Sequence, residues 1–596
     1  MKANKSLKNL CFLGGLIYKG NPGFIVRQGI AILFNVCMTV YNILIIKLLI
    51  NAMTDRAFLG WGIALVVLTS VMFFIIDSYR TAYQHYFLER DIVRIKEKIN
   101  LELMERARKL DYALYDNDEH YNKMNKTILS ADNSVDQLIQ SLTDFIETFV
   151  NVFTILTLAA VFDPIVMLCG LITSIVTYFR SIQTIRLNRE KYEEKIAPTR
   201  WQTFTRNVFF NRDSVKELKA YPSLRNIFIN EYQRCSDQLA DVISKKGKQI
   251  FKVNLCFIFL RFIFENIVPW SVIMWKACMG SITIGTAVVL MNVTEQLPWQ
   301  LSAFLKSFGQ FRMQSIYIED LRYIWEYNAQ IEKKGGKVLL SEIEKVTFHE
   351  VYFEYYEDKP VLQNLTFFLQ KGRRYAFVGE NGTGKTTMIK LLARLYDVNK
   401  GSIYINEEDI RQYDVTSLRG QMALLYQDFI VYPFTIAQNV SLETPDHNGK
   451  YSHQTEVKIY DALSKVDIKD FIEQLPLGIY TNASPEFNPQ GQFLSGGQKQ
   501  KIALARAIYN KQSLLVFDEP SSALDPISER IMMQNLTAIS QNKILLLVTH
   551  RMKLAKASDY IFFMNNGMIC EQGTHDELMR MKGGYYEFYM AQEEDY

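Results

Sequence analysis

The chain has 596 residues, a formal net charge of +4 and 22% charged residues, with a mean hydropathy of −0.04 that averages an apolar half with a soluble half. A charge this close to balance gives no reason to expect nucleic acid as a partner. Seven scattered cysteines with no Cys-x-x-Cys, and no His or Cys cluster at ligand spacing, argue against a disulfide framework and a cysteine-held metal.

Residues 1–330 read as a membrane domain. Six apolar stretches are each long enough for the roughly 20 helical residues that cross a bilayer: 24–50, 59–83, 145–162, 165–181, 251–275 and 282–305. The basic start carries no small-residue cleavage site, so a removed signal peptide is not expected. Loops join the spans in close pairs, whereas long charged helical segments separate span two from three and span four from five. Lys2, Lys5 and Lys8, with the basic residues of 90–109 and 186–248, fall on the side of the long segments. That asymmetry puts both termini and both segments in the cytosol, beneath a cell membrane whose lipid surrounds the spans. Each long segment is expected to carry a short transverse helix, at 111–126 with Tyr112, Tyr115 and Tyr121, and at 203–217, because aromatic residues interleave there with charges.

Ionisable residues inside spans are costly and mark function by default. They are Asp77 in span two, Arg261 and Glu265 four apart on one face of span five, and Glu295 in span six. With Phe257, Phe262, Phe264, Trp270 and Trp275 they are candidates for a substrate cavity with aromatic walls; a structural ion pair and an interfacial belt are the alternatives. Lys333-Lys334-Gly335-Gly336 marks a linker that divides 1–330 from 331–596.

In the second half, Tyr375-Ala376-Phe377-Val378 reads as a buried strand and 388–395 as a helix. Between them, Gly379-Glu380-Asn381-Gly382-Thr383-Gly384-Lys385-Thr386-Thr387 fits G-x-x-x-x-G-K-[ST]. The glycines let backbone N–H groups close around α- and β-phosphates, Lys385 reaches the β/γ oxygens, and Thr386 offers a hydroxyl to Mg²⁺ at a helix N-terminus. The apolar run 514–517 ends in Asp518-Glu519, at the carboxyl end of a strand where doubly wound sheets place their ligands. Asp518 would hold Mg²⁺ and Glu519 would align the attacking water, positioning and charge being most of phosphoryl-transfer catalysis. Leu494-Ser495-Gly496-Gly497-Gln498 opens a further helical pattern and makes a second anion site. One nucleotide does not need two cradles from one subunit, so the second is expected to serve ATP held by another subunit.

These residues resemble the ATPase domain of ABC transporters, whose family signature is Leu-Ser-Gly-Gly-Gln. The resemblance implies roles for the remaining motifs in order. Tyr355 is similar to the aromatic that stacks on adenine, and Gln427 to the Q-loop glutamine that contacts Mg²⁺ and water. Ser522-Ala523-Leu524-Asp525 resembles the D-loop at the dimer interface, and His550 the switch histidine at the γ-phosphate. The complete set implies a hydrolytically competent site. Asn488-Pro489-Gln490-Gly491 departs from the Gly-Glu-x-Gly that many exporters carry before the signature, and Glu486 is a possible substitute. The layout of spans resembles the exporter-type ABC fold, an α-helical membrane domain of six transmembrane helices with an α/β P-loop ATPase domain.

A narrower similarity is to the nisin-type lanthipeptide exporters, which lack the leader-cleaving peptidase domain. It is carried by Gln427-Asp428-Phe429, Gly491-Gln492-Phe493-Leu494, and residues 499–506 and 203–227. It implies a homodimer of half-transporters binding ATP and Mg²⁺ and exporting a ribosomally made, modified peptide. A multidrug or lipid exporter is the alternative within transport; a non-transporting ABC ATPase or a peptide sensor is the alternative of another class. The frequent Lys, Ile, Asn and Tyr point to an AT-rich bacterial genome.

Overall fold

The computed structural model describes residues 2–54, 59–332, 335–339, 342–510, 512–521 and 525–593. Lys333 and Lys334 of the expected linker and Ser522-Ala523-Leu524 of the expected D-loop lie outside the described residues. Two compact units emerge: residues 1–108 with 122–326, and residues 109–121 with 327–596.

The first unit is helical: α1 (Lys2–Gly20), α2 (Pro22–Thr54), α3 (Leu59–Ala82), α4 (Glu89–Ala107), then, past a short turn α5 (Ala113–Asp116) that belongs to the second unit, α6 (Asp118–Phe162), α7 (Pro164–Val208), α8 (Arg212–Ala220), α9 (Pro222–Phe262), α10 (Val268–Cys278) and α11 (Ile284–Glu326). Each expected span overlaps a helix, although 251–275 runs over α9, a widened turn at 263–267 and α10, and 282–305 starts two residues before α11. Four described stretches are long and apolar enough to cross a membrane: Pro22–Ile50, Val135–Phe162, Met167–Val208 and Pro222–Cys278. The stretches 59–83 and 282–305 overlap α3 and α11 but are not among those four; the apolar run of α11, a continuous helix, is broken by the polar residues Thr294-Glu295-Gln296. On α3 most of the described apolar side chains are exposed, Val67 58% and Phe74 71%, whereas Ile76 is buried, a surface suited to lipid rather than water. The spans lie in a membrane.

Local chemistry explains the breaks. Pro164 cannot continue α6, and Asp163 caps the new helix by accepting the Ile165 N–H at 2.8 Å while its other oxygen pairs with Lys276. The first unit is held by Ile43, Ile155, Ala159, Val289, Val293 and Leu297, contributed by α2, α6 and α11. At Gly170 on α7 an added Cβ would lie 2.4 Å from Leu297 Cδ2, so α7 and α11 approach where no side chain fits between them. Lys246 on α9 pairs with Glu190 at 2.8 Å and Glu194 at 3.0 Å on α7, tying the two long helices together.

The transverse helices are shorter than expected. The reading 111–126 merged two elements: α5 is a single turn, Asn117 is extended, and the long α6 starts at Asp118, where the Asn117 carboxamide accepts the His120 N–H. The reading 203–217 straddles the end of α7; the short helix is α8, stopped by Tyr221-Pro222. Both misplacements arise because helical periodicity persists across a short break, one extended residue at Asn117 and a three-residue turn at 209–211.

The second unit holds two sheets. Strands β1 (Lys345–Glu354), β2 (Pro360–Gln370), β3 (Arg374–Val378), β4 (Lys400–Ile405), β5 (Glu408–Asp409), β6 (Met422–Leu425), β7 (Leu514–Asp518), β8 (Ile544–Val548), β9 (Tyr560–Asn565) and β10 (Met568–Gly573) divide into an antiparallel sheet β2-β1-β4-β5 and a sheet β10-β9-β3-β8-β7-β6. In the larger sheet β9, β3, β8, β7 and β6 run parallel. Strands β7 and β8 are buried at every position, as a sheet covered on both faces requires. The carboxyl ends of β3, β7 and β8 therefore open on one edge.

Asp111 is the anchor of the segment that joins this unit. Its carboxylate accepts the Tyr327 hydroxyl at 2.8 Å and the N–H groups of Gln330, Ile331 and Glu332 at 2.7, 3.0 and 3.0 Å. Glu332 continues to Arg419 at 2.7 Å, whose guanidinium also donates to the carbonyls of Ala393 and Arg394. Burial raises the Asp111 pKa, but the hydrogen bonds outweigh it and hold the group below the usual carboxylate range. Asp111→Ala, which leaves those donors without an acceptor, is expected to destabilise the unit by about 3 kcal/mol. Because the folded pKa is depressed, the wild-type advantage over Asp111→Asn should be full at neutral pH and vanish as pH falls through the acidic folded value. Thermal unfolding of the three proteins across pH checks both; a pH-independent difference would contradict the assignment.

Candidate nucleotide site

The P-loop leaves β3 at Gly379, whose φ of +154° and an added Cβ only 2.2 Å from the Met564 carbonyl oxygen make glycine obligatory. Gly384, at φ +94°, starts the P-loop helix Lys385–Leu392 with no side-chain cap, so the first N–H groups of that helix face whatever anion enters. Lys385 is buried and its ammonium donates to the carbonyls of Gly379 at 2.9 Å and Glu380 at 2.7 Å. Burial lowers its pKa, against the pull of Glu519, Asp518 and Glu380. Thr383 closes the loop by donating to the Glu380 carbonyl, and Gly382 and Asn381 form its exposed tip.

Across the loop, the Thr386 hydroxyl donates to Asp518 Oδ2 at 2.8 Å. Asp518 is 2% exposed, and burial, reinforced by the charge of Glu519 and opposed by Thr386 and Lys385, pushes its pKa up to about 6. This pair of hard oxygen donors, with the carboxamide of Gln427 nearby on Glu519, fits Mg²⁺.

Glu519 is the best-supported side chain of the site. Gln427 Nε2 donates to its Oε2 at 2.9 Å, and His550 Nδ1 lies 3.0 Å from its Oε1. Its backbone has φ +50°, a left-handed conformation uncommon for a non-glycine residue. The backbone there is fixed from both sides: its N–H donates to the Val548 carbonyl at 2.8 Å, and its own carbonyl accepts from Gln500 Nε2 at 3.2 Å. Gln500 is buried on the helix Gly496–Tyr509. Sequence reasoning passed over it as part of a helical pattern; the available signal was a glutamine at a position whose neighbours Ala503 and Leu504 are core.

The motifs therefore bring Gly379–Thr387, Gln427, Asp518, Glu519 and His550 together. Tyr355 joins them through its hydroxyl, 3.2 Å from Thr387 Oγ1. The signature residues instead bond each other: Ser495 Oγ accepts the Gln498 N–H and Gln498 Oε1 accepts the Ser495 N–H, capping the helix that begins with Gly496 and Gly497, while Leu494 is buried. Asp525 caps the helix Pro526–Ile539, accepting the N–H groups of Ile527 and Ser528, and these bonds hold its pKa down.

A family model described as ABC transporter matches residues 362–522, the span from β2 through the P-loop, signature and Asp518-Glu519. Residues 362–522 are an ABC transporter domain. This ATPase domain on an exporter fold implies ATP hydrolysis coupled to transport. The chain is 28% identical over 505 residues to "Subtilin transport ATP-binding protein SpaT" of Bacillus subtilis, covering 82% of this chain and 78% of that one. It is 33% identical over 318 residues to "Iron-sulfur clusters transporter atm1, mitochondrial" of Aspergillus fumigatus (53% and 42%), and 36% identical over 259 residues to "ATP-dependent lipid A-core flippase 2" of Colwellia psychrerythraea (43% of each). It spans less than half the length of the latter two. A bacterial Atm1-family ABC exporter with ATP bound superposes with a TM-score of 0.76 at 23% identity, over 96% of this chain and 99% of that one.

In the membrane unit, Arg261 Nε and the buried Glu265 pair at 2.5 Å across a widened helical turn, residues 263–267. Asp77 and Glu295 are exposed, as are Phe262, Trp270 (46%) and Trp275. Phe257 and Phe264 are half-buried, so the five aromatic residues divide between exposed and partly covered positions.

Proposed function

We propose that the chain is one half of a homodimeric exporter that moves a ribosomally made, lanthipeptide-like peptide out across a bacterial plasma membrane, with the ATPase unit and both termini in the cytosol. The observation that carries the ATP chemistry is Glu519, held between Gln427 and His550 beside a P-loop whose Thr386 reaches Asp518. Lys385 and the P-loop N–H groups bind and orient the β- and γ-phosphates. Thr386, Asp518 and Gln427 would hold Mg²⁺, which when bound neutralises phosphate charge. Glu519 orients the attacking water and draws on its proton, Gln427 and His550 fixing the carboxylate's two oxygens. Tyr355 takes the adenine face. Ser495–Gln498, bonded to one another, are free to present a helix N-terminus to ATP bound by a second copy, with Asp525 beside that interface.

The peptide cargo is supported by the extent of one similarity. An alignment of 505 residues is longer than the ATPase half of the chain, so its likeness to a subtilin transport protein includes membrane helices. The lipid A-core flippase aligns over 259 residues, a length the ATPase half alone can supply. A cargo can stimulate turnover only by binding one arrangement of the helices better than the other, and Arg261, Glu265 and the outward aromatic residues of α9 and α10 are the groups placed to do so. In lipid nanodiscs, a leader-bearing modified peptide is expected to raise ATPase activity severalfold and to enter inverted vesicles in an ATP-dependent way. Uptake of lipids or hydrophobic dyes, with no response to any peptide, would replace this reading with a lipid or multidrug exporter.

A further inference from the structure

The ring of Tyr355 belongs to a cluster that includes the short turn α5. Lys390, on the P-loop helix, holds its ammonium over three rings, 5.2 Å from the centroid of Tyr112, 5.5 Å from Tyr355 and 5.9 Å from Tyr396. The same ammonium pairs with Asp116 at 3.1 Å, and the Tyr396 hydroxyl donates to that carboxylate. Tyr396 meets Tyr355 edge-on at 5.3 Å and Tyr112 at 5.8 Å. At the other end, the Tyr355 hydroxyl contacts Thr387, the last residue of the phosphate loop. Burial acts to lower the Lys390 pKa, but Asp116 and the surrounding tyrosines outweigh it, so the lysine stays charged. The hydrolytic step at Glu519 uses none of Lys390, Asp116, Tyr112 or Tyr396.

We propose that Lys390 is a positioning residue that makes the affinity of the site for the nucleobase depend on the seating of residues 111–117 on the ATPase unit. This rests on reading Tyr355 as the adenine platform. One cation serves three aromatic faces, and its place among them is set by Asp116. With Asp116 seated, the ammonium lies between Tyr112 and Tyr355 and fixes the Tyr355 ring against Tyr396 and the end of the phosphate loop. When the turn withdraws, the carboxylate leaves with it, the ammonium is freed to move toward water, and the platform loses its support. The dependence is reciprocal: a bound base tightens the seating of the turn by the same factor that a seated turn tightens the base. The phosphates, gripped by Lys385 and backbone N–H groups, lie outside this linkage.

The test compares two ligands of the full-length protein in nanodiscs: ATP, and inorganic tripolyphosphate, which has no base. Asp116→Asn and Lys390→Gln are each expected to weaken ATP binding by about three- to tenfold, the range of a partly desolvated cation–π contact, and to leave tripolyphosphate unchanged. Lys390→Arg should retain most of the ATP affinity. Equal weakening of both ligands, which a merely structural role would give, or no change in either, overturns the proposal. Tyr355→Ala in the same assay separates the two levels. If it lowers the ATP-to-tripolyphosphate affinity ratio while Asp116→Asn does not, the platform reading stands and the linkage is wrong. If Tyr355→Ala leaves the ratio at the parent value, the platform reading falls and the linkage with it.

Discussion

Glu519→Gln should bind ATP as the parent does and hydrolyse it at least about a hundredfold more slowly, the lower end of what a positioned general base contributes. Glutamine keeps the size of the side chain and an oxygen to accept from Gln427, and it leaves Asp518 and Thr386 untouched, so binding has no reason to suffer. What disappears is the negative charge that aligns and deprotonates water, and the carboxylate oxygen that faces His550. Steady-state phosphate release in nanodiscs measures the loss, and equilibrium nucleotide binding measures what is kept. Turnover close to the parent rate would move the aligning role to His550. Loss of binding instead would mean that Glu519 shapes the pocket rather than the chemistry.

Mixed dimers of Lys385→Ala and Ser495→Ala chains are expected to recover ATPase activity that neither parent homodimer shows. Each homodimer carries one lesion in each of its two sites. The mixed dimer gathers both lesions into one site and leaves the other with an intact P-loop and an intact signature, so up to about half the wild-type sites are restored, less whatever cooperation between sites demands. The expectation follows from the signature residues of this chain being bonded among themselves and not to their own phosphate loop. Differentially tagged chains, purified as the mixed species, give the measurement. Isolated mixed dimers as inactive as either parent would point to sites that fire only together, or to a partner other than a second copy.

The sequence displays the catalytic edge of the ATPase unit openly because its physics is local. A strand buried on both faces is a continuous apolar run, as in Leu514–Asp518, and a loop that wraps phosphate needs glycine where φ is positive, as at Gly379 and Gly384. Contacts between distant segments leave no such trace. Gln500 reads as one more helical residue until the fold sets its carboxamide on the Glu519 carbonyl, and Lys390 reads as a surface lysine until Asp116, 274 residues earlier, comes to meet it. The antiparallel sheet β2-β1-β4-β5 also went unread, since its strands mix exposed and buried positions without a strict alternation. In the membrane half, apolar length located the helices, while the outward direction of Trp270 and Trp275 depends on how neighbouring helices pack and is written in no single segment.

The left-handed backbone at Glu519 stores strain at the point where water is to be aligned. Holding a glutamate there costs about 1–2 kcal/mol relative to the ordinary regions, and glycine or asparagine would sit in the same place at less cost. A glutamate held at that cost, with Gln500 and the Val548 carbonyl bracing its peptide groups, has its carboxylate aimed by the fold in advance, so relaxing the backbone there would loosen the aim before it touched the phosphate loop.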